Sequence, residues 1–193
     1  MPLVSLLLLT GLWLGALTAY VAVRPVPRDA VASRESSLTL WARALRLPAA
    51  IVGVQGLLLG LVGGVVLGVG FGTTVGLMGL LALLGLSFVL ANHALAGWWG
   101  NIGRAISALL LVVTIGLGVS SAVGWLAPVG VVSPLHNGFT LVRTWLSGGT
   151  GEIGIAAVSV LMFVIAATLS YLAIATRRHI SADRFRKSIT TAA

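Results

Sequence analysis

Five long apolar stretches separated by short polar interruptions run along the chain, at about residues 3–23, 48–70, 74–95, 105–124 and 153–176. Each is close to the ~20 residues that an α-helix needs to cross a hydrocarbon layer of ~30 Å. The pattern predicts an all-α polytopic membrane protein, a single membrane domain over residues 1–193 with five transmembrane helices.

Two of the intervening segments have patterns of their own. In residues 29–47, Leu38, Trp41 and Leu45 interleave with Arg34, Arg43 and Arg46, which predicts a cytoplasmic amphipathic helix with Asp29 or Ser33 as its cap. An apolar stripe beside a basic one suits a helix lying on an anionic leaflet. It also suits a solvated basic loop or a docking surface for a cytoplasmic partner, and the pattern leaves these open. Residues 125–150 are too broken by Pro128, Gly130, Gly148 and Gly149 to cross the membrane, yet too apolar for an ordinary loop. Ser133 reads as a cap, Pro134 as the first helical residue, and Leu135, Phe139, Val142 and Leu146 share one face. That predicts an external re-entrant helical hairpin between the fourth and fifth spans.

Charge sets the orientation. Of the twelve basic residues, five lie between the first two spans, five follow the last one in the basic tail 177–193, and Arg104 separates the third from the fourth. The positive-inside rule then puts the N-terminus outside and the C-terminus in the cytoplasm; the expected location is the plasma (inner) membrane of a bacterium. No Lys or Arg precedes Leu3, and the basic residues follow the apolar run, the reverse of a signal peptide's charge order, so the first stretch reads as a retained helix.

Composition narrows the chemistry. With 58% hydrophobic and 8% charged residues and a mean hydropathy of +1.09, the chain cannot cover a water-facing surface, for which soluble domains use about 25% charged residues. The net charge of +8 resides at the membrane faces and does not signal nucleic acid. The absence of cysteine removes disulfides, thiolate metal sites and thiol nucleophiles. His93, His136 and His179 fall at three levels and cannot converge on one metal. No catalytic, cofactor-binding or metal residue is predicted, and the lack of a Gly-rich phosphate loop assigns any ATP hydrolysis to a separate ATPase.

The remaining candidates concern packing and a polar path. Gly56, Gly60, Gly64, Gly68, Gly72 and Gly76 recur at every fourth position, the spacing that lets helices approach closely in lipid, within this chain or against another. Gln55, Asn92, His93 and Ser120 are uncharged polar groups in apolar spans. Each fits an interhelical hydrogen bond or a substrate path. Arg143, the external arginine, reads as snorkelling to headgroups, as a partner for Glu152, or as a contact for an anionic substrate.

The runs Gly11-Leu-Trp-Leu-Gly, Arg24-Pro, Val54-Gln-Gly, Asn92-His-Ala-Leu-Ala-Gly-Trp-Trp-Gly-Asn-Ile-Gly-Arg104 and Ser133-Pro-Leu-His-Asn-Gly-Phe-Thr-Leu-Val-Arg143, in that order, resemble the membrane region of the YhgE/Pip (phage infection protein) family. His93 stands where that family usually has Gln. The resemblance implies a bundle like that of type-2 ABC exporter permeases and matches only the C-terminal membrane part. It therefore implies a partner: another membrane protein supplying a further helix and an extracellular domain, or a second copy of this chain. The expected function is a non-enzymatic membrane subunit of an export or secretion-related envelope complex, with a structural or accessory membrane subunit as the alternative.

Overall fold

The computed structural model describes residues 2–26, 34–119, 133–148 and 153–177, and they are all helical or connecting. The helices are α1 (Pro2–Ala22), α2 (Ser37–Val66), α3 (Phe71–Trp99), α4 (Asn101–Val119), α5 (Pro134–Leu146) and α6 (Ile153–Arg177). Four of them, α1, α2, α3 and α6, are long and apolar enough to cross a membrane, and α4 carries a shorter apolar stretch, Asn101–Gly116. Their outward faces stay apolar, with Leu57, Val65, Val160 and Leu161 exposed, so the medium that suits this surface is lipid. Ser120, the first arm of the expected hairpin and the tail after Arg177 lie outside the described residues.

α2 departs from the expected division at Pro48. A 30-residue helix of about 45 Å runs unbroken through the proline, and the expected amphipathic segment is its first part rather than a separate element lying on the leaflet. Proline removes one backbone hydrogen bond, but the residues before it are held by tertiary burial. Leu40 and Ala44 pack with Ile174 of α6, and Trp41 meets Tyr171 edge-on at 6.2 Å. The helix starts at Ser36, whose hydroxyl accepts the Thr39 N–H at 3.1 Å, while Asp29 and Ser33 lie outside the described residues.

α2 and α3 form an antiparallel pair, and glycine explains how close they lie. A Cβ on Gly56 would come within 2.7 Å of the Leu81 carbonyl oxygen, one on Gly60 within 2.5 Å of Met78 Cα, and one on Gly64 within 2.5 Å of the Thr74 side chain. Three steps of the glycine stripe therefore match three steps down α3, and they serve contact within the chain. The contact between α2 and α3 ends there, and Gly76 is packed by Trp145 of α5 instead. Gly68 makes the turn into α3 at φ +63°, with its N–H donating to Val65 O and the Val69 N–H to Gly64 O, a Schellman arrangement that only glycine enters without strain. A Cβ on Gly72 would meet open space, so its place in the series has no packing counterpart.

α1 completes this side of the bundle through Gln55, whose Nε2 donates to Gly11 O at 2.9 Å while its side chain fills the space left by Gly15. Trp13 is fully buried and meets Phe88 edge-on at 4.9 Å. Gly100, at φ +58°, turns α3 into α4. Six of the seven described arginines, Arg24, Arg34, Arg43, Arg46, Arg104 and Arg177, gather at the end of the bundle where α1, α3 and α6 finish and α2 and α4 start. That end is called the basic end below, and the opposite one, at residues 67–70, the turn end.

The stripe gives a direct test. Gly60→Leu drives a side chain into the α3 backbone and should destabilise the protein by about 1–3 kcal/mol, the usual cost of overpacking. Gly79→Leu, where a Cβ meets open space, should stay within about 0.5 kcal/mol. Gly85, although outside the stripe, is not a neutral control, because its Cβ would come within 3.0 Å of Val52. Thermal unfolding in detergent compares the first two variants; equal losses would remove the stripe from the packing argument.

Candidate functional site

Polar side chains inside an apolar bundle bond to each other or leave costly unsatisfied groups. Near the basic end, Trp41 of α2 donates its indole N–H to Ser170 Oγ of α6 at 2.8 Å, and Ser170 lies 2.8 Å from His93 Nδ1 of α3. His93 Nε2 lies 2.8 Å from the Pro25 carbonyl, just beyond α1. The carbonyl can only accept, so Nε2 carries the proton, Nδ1 accepts from Ser170, and the Ser170 oxygen remains open to Trp41. Tyr20 adds an edge-on ring contact to His93 at 5.5 Å. One directional chain of hydrogen bonds thus joins α2, α6, α3 and the end of α1.

A second chain lies deeper. Ser107 of α4 donates to Asn92 Oδ1, Asn92 Nδ2 donates to Phe88 O at 2.9 Å, and the Ser107 carbonyl accepts the Trp13 N–H at 3.2 Å. The adjacent residues Asn92 and His93 therefore point to different neighbours, one towards α4 and α1, the other towards α6.

Ser170 and His93 have the atoms of a nucleophile and its base. Their surroundings do not serve that chemistry. Both are fully buried, and the ring's far nitrogen is held by a backbone carbonyl in place of the carboxylate of a hydrolase triad. Among the described residues no group of His, Asp and Glu is arranged to hold a metal.

α5 enters the bundle only part of the way. Trp145 donates to Thr73 O at 3.2 Å and covers Gly76, so the C-terminal part of α5 lies at the turn end. Gly138 faces Leu84 and Phe88, and Pro134 and Asn137 share a small cavity with Ser87 and Met162. The helix therefore descends alongside α3 for roughly 20 Å and starts near the middle of the bundle. Ser133 occupies the cap position with Pro134 following, as expected, but its hydroxyl makes no cap bond, and its carbonyl takes the Asn137 N–H instead. Arg143 is exposed in the last turn of α5, and its expected partner Glu152 lies outside the described residues.

Below the start of α5, on the basic side, a groove of about 510 Å³ opens between α3, α4 and α6. Trp13 forms its floor and Pro134 its deep end; Ala94, Leu110, Ile165 and Leu169 are among its walls. At its basic end, Trp98 donates to Leu169 O at 2.9 Å and accepts from the Arg177 guanidinium at its carbonyl, 2.8 Å away.

Of the residues singled out from sequence, the structure brings Asn92, His93 and Gln55 into interhelical bonds and places Pro134 at the groove, but it does not gather them at one site. Trp41, Ser107 and Ser170, which sequence reasoning did not select for chemistry, complete the internal network. A lone serine in an apolar helix carries no signal until its partner across the interface is known. The chain matches no protein-family model, and neither a curated protein nor a solved structure matches it.

Ser170→Ala removes the oxygen that serves both Trp41 and His93 and should cost about 1–3 kcal/mol by leaving two polar groups unpartnered. Thr168→Ala, whose hydroxyl bonds only to Val164 O of its own helix, should change stability by less than about 0.5 kcal/mol. Denaturant titration of both variants checks this; a neutral Ser170→Ala would show that the cluster holds nothing together.

Proposed function

We propose that the chain is a non-enzymatic subunit of a bacterial cell-envelope membrane complex, acting as an accessory or structural bundle. One observation carries this reading: the polar side chains that a conduit would need are already used between helices. Gln55 is bonded to α1, Asn92 to α4, and His93 to Ser170 and Pro25, while the groove of the bundle is walled by apolar side chains. A helical unit of this kind offers shape and apolar surface to others.

The export reading is favoured by a different observation, the short helix α5 descending from the turn end. Such a helix is what the second arm of a re-entrant hairpin would be, and the resemblance to the YhgE/Pip family and to type-2 exporter permeases implies a hairpin on that side. In that reading α4 is a fifth span, the bundle pairs with another membrane protein or with a second copy, and a separate ATPase supplies energy. In both readings the N-terminus is outside and the basic end cytoplasmic, because positively charged residues are retained on that face.

Native mass measurement after gentle extraction tests the subunit reading. A co-purifying membrane protein or a stable dimer is expected, whereas a lone monomer would overturn it. Orientation is open to cysteine labelling, since the chain has no cysteine of its own. In intact cells Ser147→Cys should react with an impermeant reagent and Ser188→Cys should resist it; the reverse pattern inverts the topology.

A further inference from the structure

The gap between α3 and α6 is filled differently in its two halves. Towards the turn end, α5 occupies it, with Trp145 over Gly76 and Gly138 against Leu84 and Phe88. Towards the basic end it is the groove, closed in depth by Pro134 and floored by Trp13. Along α3 the groove extends from Ala91 to Trp99, roughly 12 Å, which is close to the half-thickness of a ~30 Å hydrocarbon core.

That geometry selects the occupant. A partner helix crossing the membrane needs a track that continues to the opposite face, and α5 blocks it. One acyl chain is apolar, thin and one leaflet long. The mouth adds the second half of an amphiphile's requirements. Trp98 and the 56% exposed Trp99 sit at the depth where indoles favour the membrane interface, and Arg177 is anchored there on the Trp98 carbonyl. Glu35 is the single acid among the described residues, and it is bonded to Arg43, so the basic end presents a surplus of positive charge.

We propose that this groove holds one acyl chain of an anionic phospholipid from the leaflet at the basic end, with its phosphate beside Arg177. The tail fills the groove along Leu95, Leu110 and Ile165. The guanidinium, already oriented by Trp98, supplies charge-assisted hydrogen bonds to the phosphate. The proposal requires only that the chain sits in a membrane, and it stands or falls independently of the subunit reading.

The test uses the purified chain in nanodiscs containing dioleoyl phosphatidylglycerol and dioleoyl phosphatidylcholine in equal amounts, released and weighed by native mass spectrometry. A single phosphatidylglycerol should stay bound in preference to phosphatidylcholine by about fivefold, the effect of one basic residue at a lipid surface. Arg177→Gln should abolish the preference while a lipid remains bound. Ala166→Phe, which fills the groove, should remove the lipid, and Val112→Phe, on the 65% exposed outward face of α4, should leave it. The wild-type comparison of the two headgroups needs no variant, so a misfolded Ala166→Phe does not blunt the test. Equal retention of both lipids, no retained lipid, or identical behaviour of Ala166→Phe and Val112→Phe would overturn the proposal. So would a photo-crosslinker at Leu169 that captures a polypeptide, either a partner or a second copy, in place of lipid.

Discussion

The closeness of α2 to α3 is the constraint on which the remaining structure rests. In lipid, helices gain nothing by hiding apolar surface from the acyl chains around them, so association depends on dispersion contacts that fall away within an ångström of separation. Gly56, Gly60 and Gly64 bring the α2 backbone against Leu81, Met78 and Thr74 at distances no side chain allows. With this pair fixed, α3 presents Phe88, Asn92 and His93 at fixed depths on faces that α1, α4 and α6 then meet.

The polar residues give the bundle a register that apolar packing leaves loose. Lipid-like side chains slide past each other at little cost, whereas a hydrogen bond between helices is lost by a shift of about 1 Å. His93 is bonded at both nitrogens and so fixes α6 through Ser170 and the chain after α1 through Pro25. Asn92 and Ser107 do the same for α4, and Gln55 for α1. Since the alternative for each group is to remain unsatisfied in hydrocarbon, these bonds specify one arrangement even where each contributes only about 1 kcal/mol.

Much of the architecture was legible in the sequence because length and hydropathy act residue by residue. The apolar runs locate the helices, and the four-residue glycine period locates a close contact. What the period does not contain is its partner or its end. Gly68 and Gly72 continue the spacing, yet one forms a turn and the other faces open space, because a fixed interval in sequence persists after the helix has stopped. Pro48 misleads in the opposite direction. Its local cost is real, but Leu40 and Ala44 are held against Ile174 on the far side, and tertiary burial carries α2 through. The network around His93 was half visible. The imidazole stood out, while Ser170, 77 residues from His93, and Trp41, 129 residues from Ser170, did not.

The short helix α5 and the groove beneath it are two consequences of one cause. A 13-residue helix of about 20 Å cannot cross a ~30 Å core, so where α5 fills the space between α3 and α6 at one face it leaves that space empty at the other. Lengthening α5 would seal the gap; removing it would split the bundle through to the turn end. The chain instead keeps a half-depth recess whose walls are apolar and whose rim carries two tryptophans and an anchored arginine. In a bilayer lipid is the solvent, and a void left against such walls forfeits their dispersion contacts. On the lipid proposal the bundle's shape includes the acyl chain in that recess, which bridges the walls contributed by α3, α4 and α6.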